Sequence, residues 1–216
     1  MSIVTVKDLR SQFGPARDQD PRPTCMAFAG SDAHAGARPG WEPLSVEWAY
    51  FHALRRAGCQ PHQGLSLATM LETLRGDGQP VETVWPYIPK LFTDLSGYAP
   101  PVSSSPIYRR DSRPTRATVE EIVGEIDQDR PVLFTMSLSR SFFFAGPDGI
   151  IAAQEPLEPK RVHALIAAGY GMRGADRFIL IRNSWGESWA QNGHAWLHVD
   201  YLRPRLLVAA TITGEL

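Results

Sequence analysis

The chain has few cysteines and no long apolar run, and each shortage excludes a class of protein. Its 216 residues include two cysteines, Cys25 and Cys59, which allow at most one disulfide and exclude a fold stapled by several. No segment reaches the ~20 apolar residues that a membrane-spanning helix needs. The N-terminus lacks the apolar core and cleavage site of a secretory signal, so the predicted location is cytoplasmic, with signal-independent export left open.

An excess of either charge is also lacking. Lysine and arginine together number 22 and the acidic residues 23, which gives a formal net charge of −1. This balance argues against a nucleic-acid-binding protein and against attachment to a membrane surface. The histidines and cysteines show no metal-ligand spacing, and we expect neither a metal nor another cofactor.

The composition that is present, 43% hydrophobic and 21% charged, is typical of a folded soluble protein. Apolar periodicity and capping residues predict four helices, over 25–36, 45–57, 67–75 and 118–127, with N-caps at Thr24, Ser45, Ser66 and Thr118. Strands are predicted over 131–136, 162–170, 177–182, 196–199 and 206–212. Residues 1–24 are predicted to be an extended lead-in, and the proline-rich segment 77–116 an irregular connection. Helices followed by strands indicate an α+β fold in one domain with two lobes, a helical lobe near 10–105 and a strand-rich lobe near 106–205, whose ends cross over.

Three islands of sequence carry the chemistry. Gln19 stands six residues before Cys25, which opens the first predicted helix; His163 lies inside a predicted strand; and Asn183-Ser-Trp-Gly follows another strand. Together, and in this order, they resemble the papain-like cysteine peptidases over residues 8–202. The resemblance implies that family's two-lobe fold, with a helical N-terminal lobe, a β-barrel-like C-terminal lobe and the active-site cleft between them.

The resemblance assigns a role to each residue. Cys25 is the nucleophile, whose thiolate the helix N-terminus and a neighbouring imidazolium stabilise. His163 is its acid–base partner, and Asn183 orients the imidazole. Gln19 and the Cys25 backbone N–H form the oxyanion hole, and Trp185 covers the His–Asn hydrogen bond. Asp176, 13 residues after His163, is an alternative orienting group that the sequence leaves open.

Several positions depart from the family pattern. Pro-Thr precedes Cys25 where the family has Gly-Ser, and Ala190 stands where the family has glycine. Arg22 occupies the position of a cysteine that secreted members pair with one resembling Cys59, so Cys59 is expected to be free. Val162 replaces the Asp or Asn that commonly precedes the catalytic histidine.

Substrate binding is assigned to Gly64, where a peptide backbone would approach, and to an apolar second subsite of Leu65, Thr135 and Val162. Gly64 reads almost equally well as an ordinary loop residue before a helix.

The predicted function is a thiol protease, a monomeric cysteine endopeptidase of bacterial type that hydrolyses a peptide or protein substrate through an acyl-enzyme. Only 24 residues precede Cys25, so no inhibitory propeptide is expected, and activity would be restrained by narrow specificity, a protein inhibitor or delayed expression. The alternatives are a cysteine deamidase or acyl transferase of toxin type, and a peptide-binding module with a relict site.

Overall fold

Three helices fill the first half of the chain in the computed structural model, which describes residues 2–91, 96–102, 106–146, 148–151, 156 and 161–216. They are α1 (Cys25–Gly36), α2 (Val46–Ala57) and α3 (Leu67–Gly76). The predicted caps hold for α2 and α3, where the Ser45 and Ser66 hydroxyls accept hydrogen bonds from backbone N–H groups. Thr24 was wrongly predicted as a cap, because its hydroxyl lies 3.0 Å from the Tyr87 hydroxyl instead.

Eight strands of the described residues form one sheet. They are β1 Val4–Asp8, β2 Arg110–Thr115, β3 Val132–Ser137, β4 Ile150–Ile151, β5 Val162–Arg173, β6 Asp176–Arg182, β7 His194–His198 and β8 Leu206–Glu215. Their order is β2-β8-β3-β5-β6-β7-β4, with β1 pairing to the far half of β5. All these neighbours are antiparallel except β4 and β7. Helix α4 (Val119–Asp127) is capped by Thr118 as predicted, and α5 (Arg140–Phe143) and α6 (Val199–Leu202) are single turns.

Three strands lie in segments for which none was predicted, and one of them is the two-residue β4. β1 belongs to the supposed lead-in, and β2 to the supposed irregular connection. β2 contains Pro114 and pairs only with β8, at the edge of the sheet, where a residue without an N–H is tolerated. Such a short edge strand lacks the regular apolar alternation that reveals a central one.

The sheet separates two apolar cores because side chains alternate along each strand. On β3 and β5, Leu133, Ala164 and Ile166 pack with α1, α2 and α3, whereas Phe134 and Leu165 pack with α4. The strands therefore carry helices on both faces, and the start of α1 lies against β5.

Among the described residues, no helix is long and apolar enough to span a membrane.

A buried ion-pair network joins α1 to the end of β6. Asp32 of α1 accepts hydrogen bonds from Arg17 and, at 2.8 Å, from Arg182 Nε. Burial alone would raise the pKa of Asp32, but Arg17 and Arg182 hold it below its ordinary value. Arg182 also donates to the carbonyls of Gly14 and Pro15 at 2.8 and 2.7 Å. The network fixes the residue that follows, Asn183, relative to the helix that begins at Cys25.

Candidate active site

Cys25 is the first residue of α1 and its side chain is partly exposed. The first hydrogen bond of this helical turn runs from Phe28 N–H to the Thr24 carbonyl, at 3.0 Å. The N–H groups of the first helical residues therefore have no partner within the helix and are available to a bound group. Helix α1 packs against β5, the strand that carries His163, and a backbone hydrogen bond from Ala164, the residue after His163, acts to lower the pKa of the thiol.

His163 and Asn183 form a direct pair. Both side chains are buried, and His163 Nε2 lies 2.7 Å from Asn183 Oδ1. The amide oxygen also accepts from the Ser184 N–H at 2.8 Å, which sets its orientation. Because Oδ1 can only accept, Nε2 carries the proton, and in the neutral ring Nδ1 has a free lone pair. That tautomer is the one that can accept a proton from a thiol.

Burial disfavours a thiolate at Cys25 and an imidazolium at His163 when either forms without the other. Burial raises the pKa of the Cys25 thiol, opposed by the N–H of Ala164 and other backbone donors. Burial also lowers the pKa of His163 to about 4, although the Asn183 hydrogen bond acts against it. Proton transfer from Cys25 to His163 creates both charges together, and their mutual attraction offsets part of the desolvation.

Aromatic rings enclose the imidazole. Trp185 lies over His163 with centroids 4.9 Å apart, and Phe142 meets the same imidazole edge-on at 6.2 Å. Trp185 in turn contacts Phe142 and Trp189 edge-on and stacks on Phe143 at 5.2 Å. These rings keep water from the His163–Asn183 hydrogen bond and hold the imidazole in place.

Gln19 is buried, and its amide is fixed at both ends. Its Oε1 accepts a hydrogen bond from Ser184 Oγ at 2.7 Å, and its Nε2 donates to the Arg22 carbonyl at 2.8 Å. The Gln19 backbone is held as well, by Ser184 O and by the Tyr87 hydroxyl. One Nε2 hydrogen remains for a ligand. Ser184 is a positioning residue that the sequence analysis missed, although it follows Asn183 directly in the motif.

Arg22, at the position where secreted papain-like peptidases have a disulfide-bonded cysteine, forms a buried ion pair instead. Its guanidinium lies 2.7 and 2.9 Å from the two Glu47 oxygens, and neither side chain is exposed. Tyr98 Oη and Ile88 N–H donate to the same carboxylate. Both cysteines are free, as expected for Cys59. A bidentate ion pair thus connects the segment before Cys25 to α2. No local sequence pattern predicts this contact.

The turns after Asn183 need unusual backbone angles. Gly186 has φ +71°, and Ala190, where the family has glycine, has φ +48°. A left-handed conformation costs a residue with a Cβ roughly 1–2 kcal/mol. Ala190 therefore carries strain in the loop that presents Trp185 and Trp189.

Two of the four proposed substrate-binding residues, Gly64 and Leu65, lie just before α3, and the other two, Thr135 and Val162, lie on β3 and β5. Gly64 faces open space before α3, and Leu65 packs against the helical core. Thr135 is buried opposite Ala164, and Val162 is exposed at the start of β5. The contacts of the described residues do not test their roles, which remain predictions.

Asp176 lies far from His163. It is opposite Arg173 at the other end of β5, ten residues from His163 and hence about 33 Å along the strand. The structure therefore brings Asn183, and not Asp176, to the imidazole.

The described residues contain no group of three or more His, Cys, Asp or Glu side chains suited to a metal ion.

Comparison with known proteins identifies proteins that this chain resembles. Residues 102–203 match the family described as papain family cysteine protease. The matched segment is just under half of the chain, and over it the chain is similar to the papain-like cysteine peptidases. It is similar to cysteine proteinase 3 of Entamoeba histolytica, with 24% identity over 89% of this chain and 62% of the relative. It is also similar to papaya proteinase 4 of Carica papaya, 53% identical over 32 residues, which are 15% of this chain and 9% of the relative. The chain thus spans less than two thirds of each of these relatives.

Solved structures show the papain-like fold that was expected. Xylellain, a cysteine protease from Xylella fastidiosa, superposes with a TM-score of 0.77 at 18% identity, over 99% of this chain and 87% of the other. A structure from work on the mite allergens Blo t 1 and Der p 1 gives 0.76 at 19% identity, over 99% and 72%. The α+β two-lobe prediction is confirmed.

Proposed function

We propose that this papain-like chain is a cysteine endopeptidase that hydrolyses peptide bonds. The observation that carries the proposal is the 2.7 Å contact of His163 Nε2 with Asn183 Oδ1, which leaves Nδ1 unprotonated and able to accept a proton. Cys25 begins α1, and α1 packs against β5, the strand that carries His163.

In the proposed mechanism, His163 Nδ1 takes the thiol proton as Cys25 Sγ attacks the substrate carbonyl carbon. The carbonyl oxygen becomes an oxyanion, which accepts hydrogen bonds from Gln19 Nε2 and the Cys25 N–H. His163 then gives its proton to the departing amine, and the acyl group remains on Sγ as a thioester. Water, deprotonated by His163, attacks the thioester and releases the second product, which restores the thiol.

The structure supports the preorganisation that this sequence of steps requires. The Gln19 amide is held by Ser184 and the Arg22 carbonyl, so it need not reorient when the oxyanion forms. Trp185 and Phe142 exclude water around the imidazole and strengthen its hydrogen bond to Asn183.

The test is digestion of a proteome-derived peptide mixture, with new termini identified by mass spectrometry. Wild type and Cys59→Ser should cleave alike, Cys25→Ala and His163→Ala should be almost inactive while folded, and Asn183→Ala should lose less. Full cleavage by Cys25→Ala would show that another group is the nucleophile. A gain of one mass unit, or an adduct, in place of two fragments would identify a deamidase or an acyl transferase.

A further inference from the structure

Exposed apolar side chains lie close to His163, because Val162 precedes it in the chain and Phe143 stacks on Trp185, which contacts the imidazole. The exposed fractions are 38% for Phe143, 74% for Phe144 and 51% for Val162. Phe143 and Phe144, with Arg140 and Arg161, line a cavity of about 450 Å³. A concave apolar surface of this size accommodates one or two side chains of a ligand.

Aromatic stacking connects this cavity to the reacting groups. Phe143 stacks on Trp185 with an interplanar angle of 20°, and Trp185 lies over His163 with centroids 4.9 Å apart. In the proposed function His163 delivers a proton to the departing amine, so the amine side of the substrate must lie next to the imidazole. The cavity is therefore positioned for the residues that follow the cleaved bond.

Two arginines stand at the rim of the cavity, in the part of it that the structure describes. Arg140 and Arg161 both line it, and the Arg161 guanidinium lies 5.5 Å from the centroid of Phe143. No Asp or Glu is among the described residues that line it, and Arg140 forms no ion pair within the described part of the chain. An apolar floor beside arginine suits a ligand that combines an apolar side chain with a carboxylate.

We propose that this cavity selects substrates in which an aromatic or aliphatic residue and an acidic residue lie within the first three positions after the cleaved bond. The inference rests on the proposed peptidase function and deepens it. Phe143 and Phe144 contact the apolar side chain, and Arg140 attracts the carboxylate of the acidic one. Because Arg140 is exposed, its effect on kcat/KM is modest, about two- to fivefold for Glu over Gln, and falls as salt rises.

The experiment profiles cleavage of the peptide mixture by wild type, Arg140→Glu and the matched control Arg75→Glu. Arg75 is an exposed arginine of α3 and does not line the cavity. We expect enrichment of apolar and acidic residues after the cleaved bond for wild type and for Arg75→Glu. Arg140→Glu should lose the acidic preference and favour lysine, and Phe144→Ala should weaken the apolar one. Kinetics follow on synthetic peptides with an amidated C-terminus that differ only in Glu, Gln or Lys.

Each contrary result has a distinct meaning. Cleavage with no preference after the bond, or an Arg140→Glu profile equal to that of wild type, overturns this inference and leaves the peptidase function standing. A preference that vanishes when the C-terminus is amidated assigns the rim to the terminal carboxylate and overturns the acidic side chain. If wild type cleaves nothing, both proposals fail.

Discussion

The buried ion pair between Arg22 and Glu47 gives the most quantitative prediction. Both side chains are fully buried, and two bonds of 2.7 and 2.9 Å join them. Removal of one partner leaves an uncompensated charge, so Arg22→Met and Glu47→Leu should each destabilise the fold by about 3–5 kcal/mol. That is a large share of the roughly 5–15 kcal/mol that stabilises an ordinary domain.

Removal of both charges should cost far less than the sum. The double variant leaves three groups without a partner, the Tyr98 hydroxyl and the N–H and carbonyl of Ile88, at about 1–2 kcal/mol each because both residues are only partly buried; the total of about 3–6 kcal/mol compares with roughly 6–10 for two additive changes. The expected coupling is thus several kcal/mol in size. A double-mutant cycle isolates it, because each single variant removes the same contact.

The assay is equilibrium unfolding in urea, followed by circular dichroism, with every variant built on Cys25→Ala to prevent self-digestion. Midpoints should shift while the slope stays constant. Arg22→Lys, which keeps the charge and loses the bidentate geometry, supplies a milder member of the series. Additivity within about 0.5 kcal/mol would refute the idea that the two residues act as a pair.

Three further predictions concern the site and its surroundings. Ser184→Ala should lower kcat about tenfold, because it frees the Gln19 amide; this is less than the ~10²–10³ that is typical of losing an oxyanion donor itself. The rate of Cys25 alkylation should stay constant, and a change in that rate would contradict a role of Ser184 through Gln19. Ala190→Gly should raise the urea unfolding free energy by about 0.5–1 kcal/mol by relieving its positive φ, and a loss of stability would contradict this. Acid should destabilise the fold, because burial lowers to about 4 the pKa of three histidines, which the unfolded chain protonates near 6.5: His34, His163 and His194. The unfolding free energy should fall by about 1.4 kcal/mol per pH unit for each histidine as pH drops from 6.5 towards 4, and a melting temperature that is flat between pH 7 and 5 would exclude this.

Local signals explain which parts of the fold were predictable. The bounds of α2 and α4 follow from apolar spacing, and those of α1 from a run of small residues that ends at Gly36. Ser45, Ser66 and Thr118 cap their helices because a cap is decided within four residues. β2 escaped prediction because its pairing is with β8, about a hundred residues later in the chain. Thr24 failed as a cap because a distant hydroxyl, that of Tyr87, competes for it.

The same division holds for the site. The order of Gln19, Cys25, His163 and Asn183 along the chain carries the family resemblance, and that resemblance predicted the contact of His163 with Asn183. The support around them is not: Ser184 reaches Gln19 across 165 positions, and the partner of Arg22 is 25 positions away. Such contacts depend on how β6 and α2 pack, which no short pattern encodes.

The most direct test of the account is the mass of the intact protein after incubation with an epoxysuccinyl peptide, followed by mapping of the modified residue. A preorganised Cys25 predicts one adduct per chain on wild type and on Cys59→Ser, and none on Cys25→Ala. Labelling of Cys59, or no adduct on a folded wild type, would contradict the assignment of Cys25 as an activated nucleophile in an open cleft.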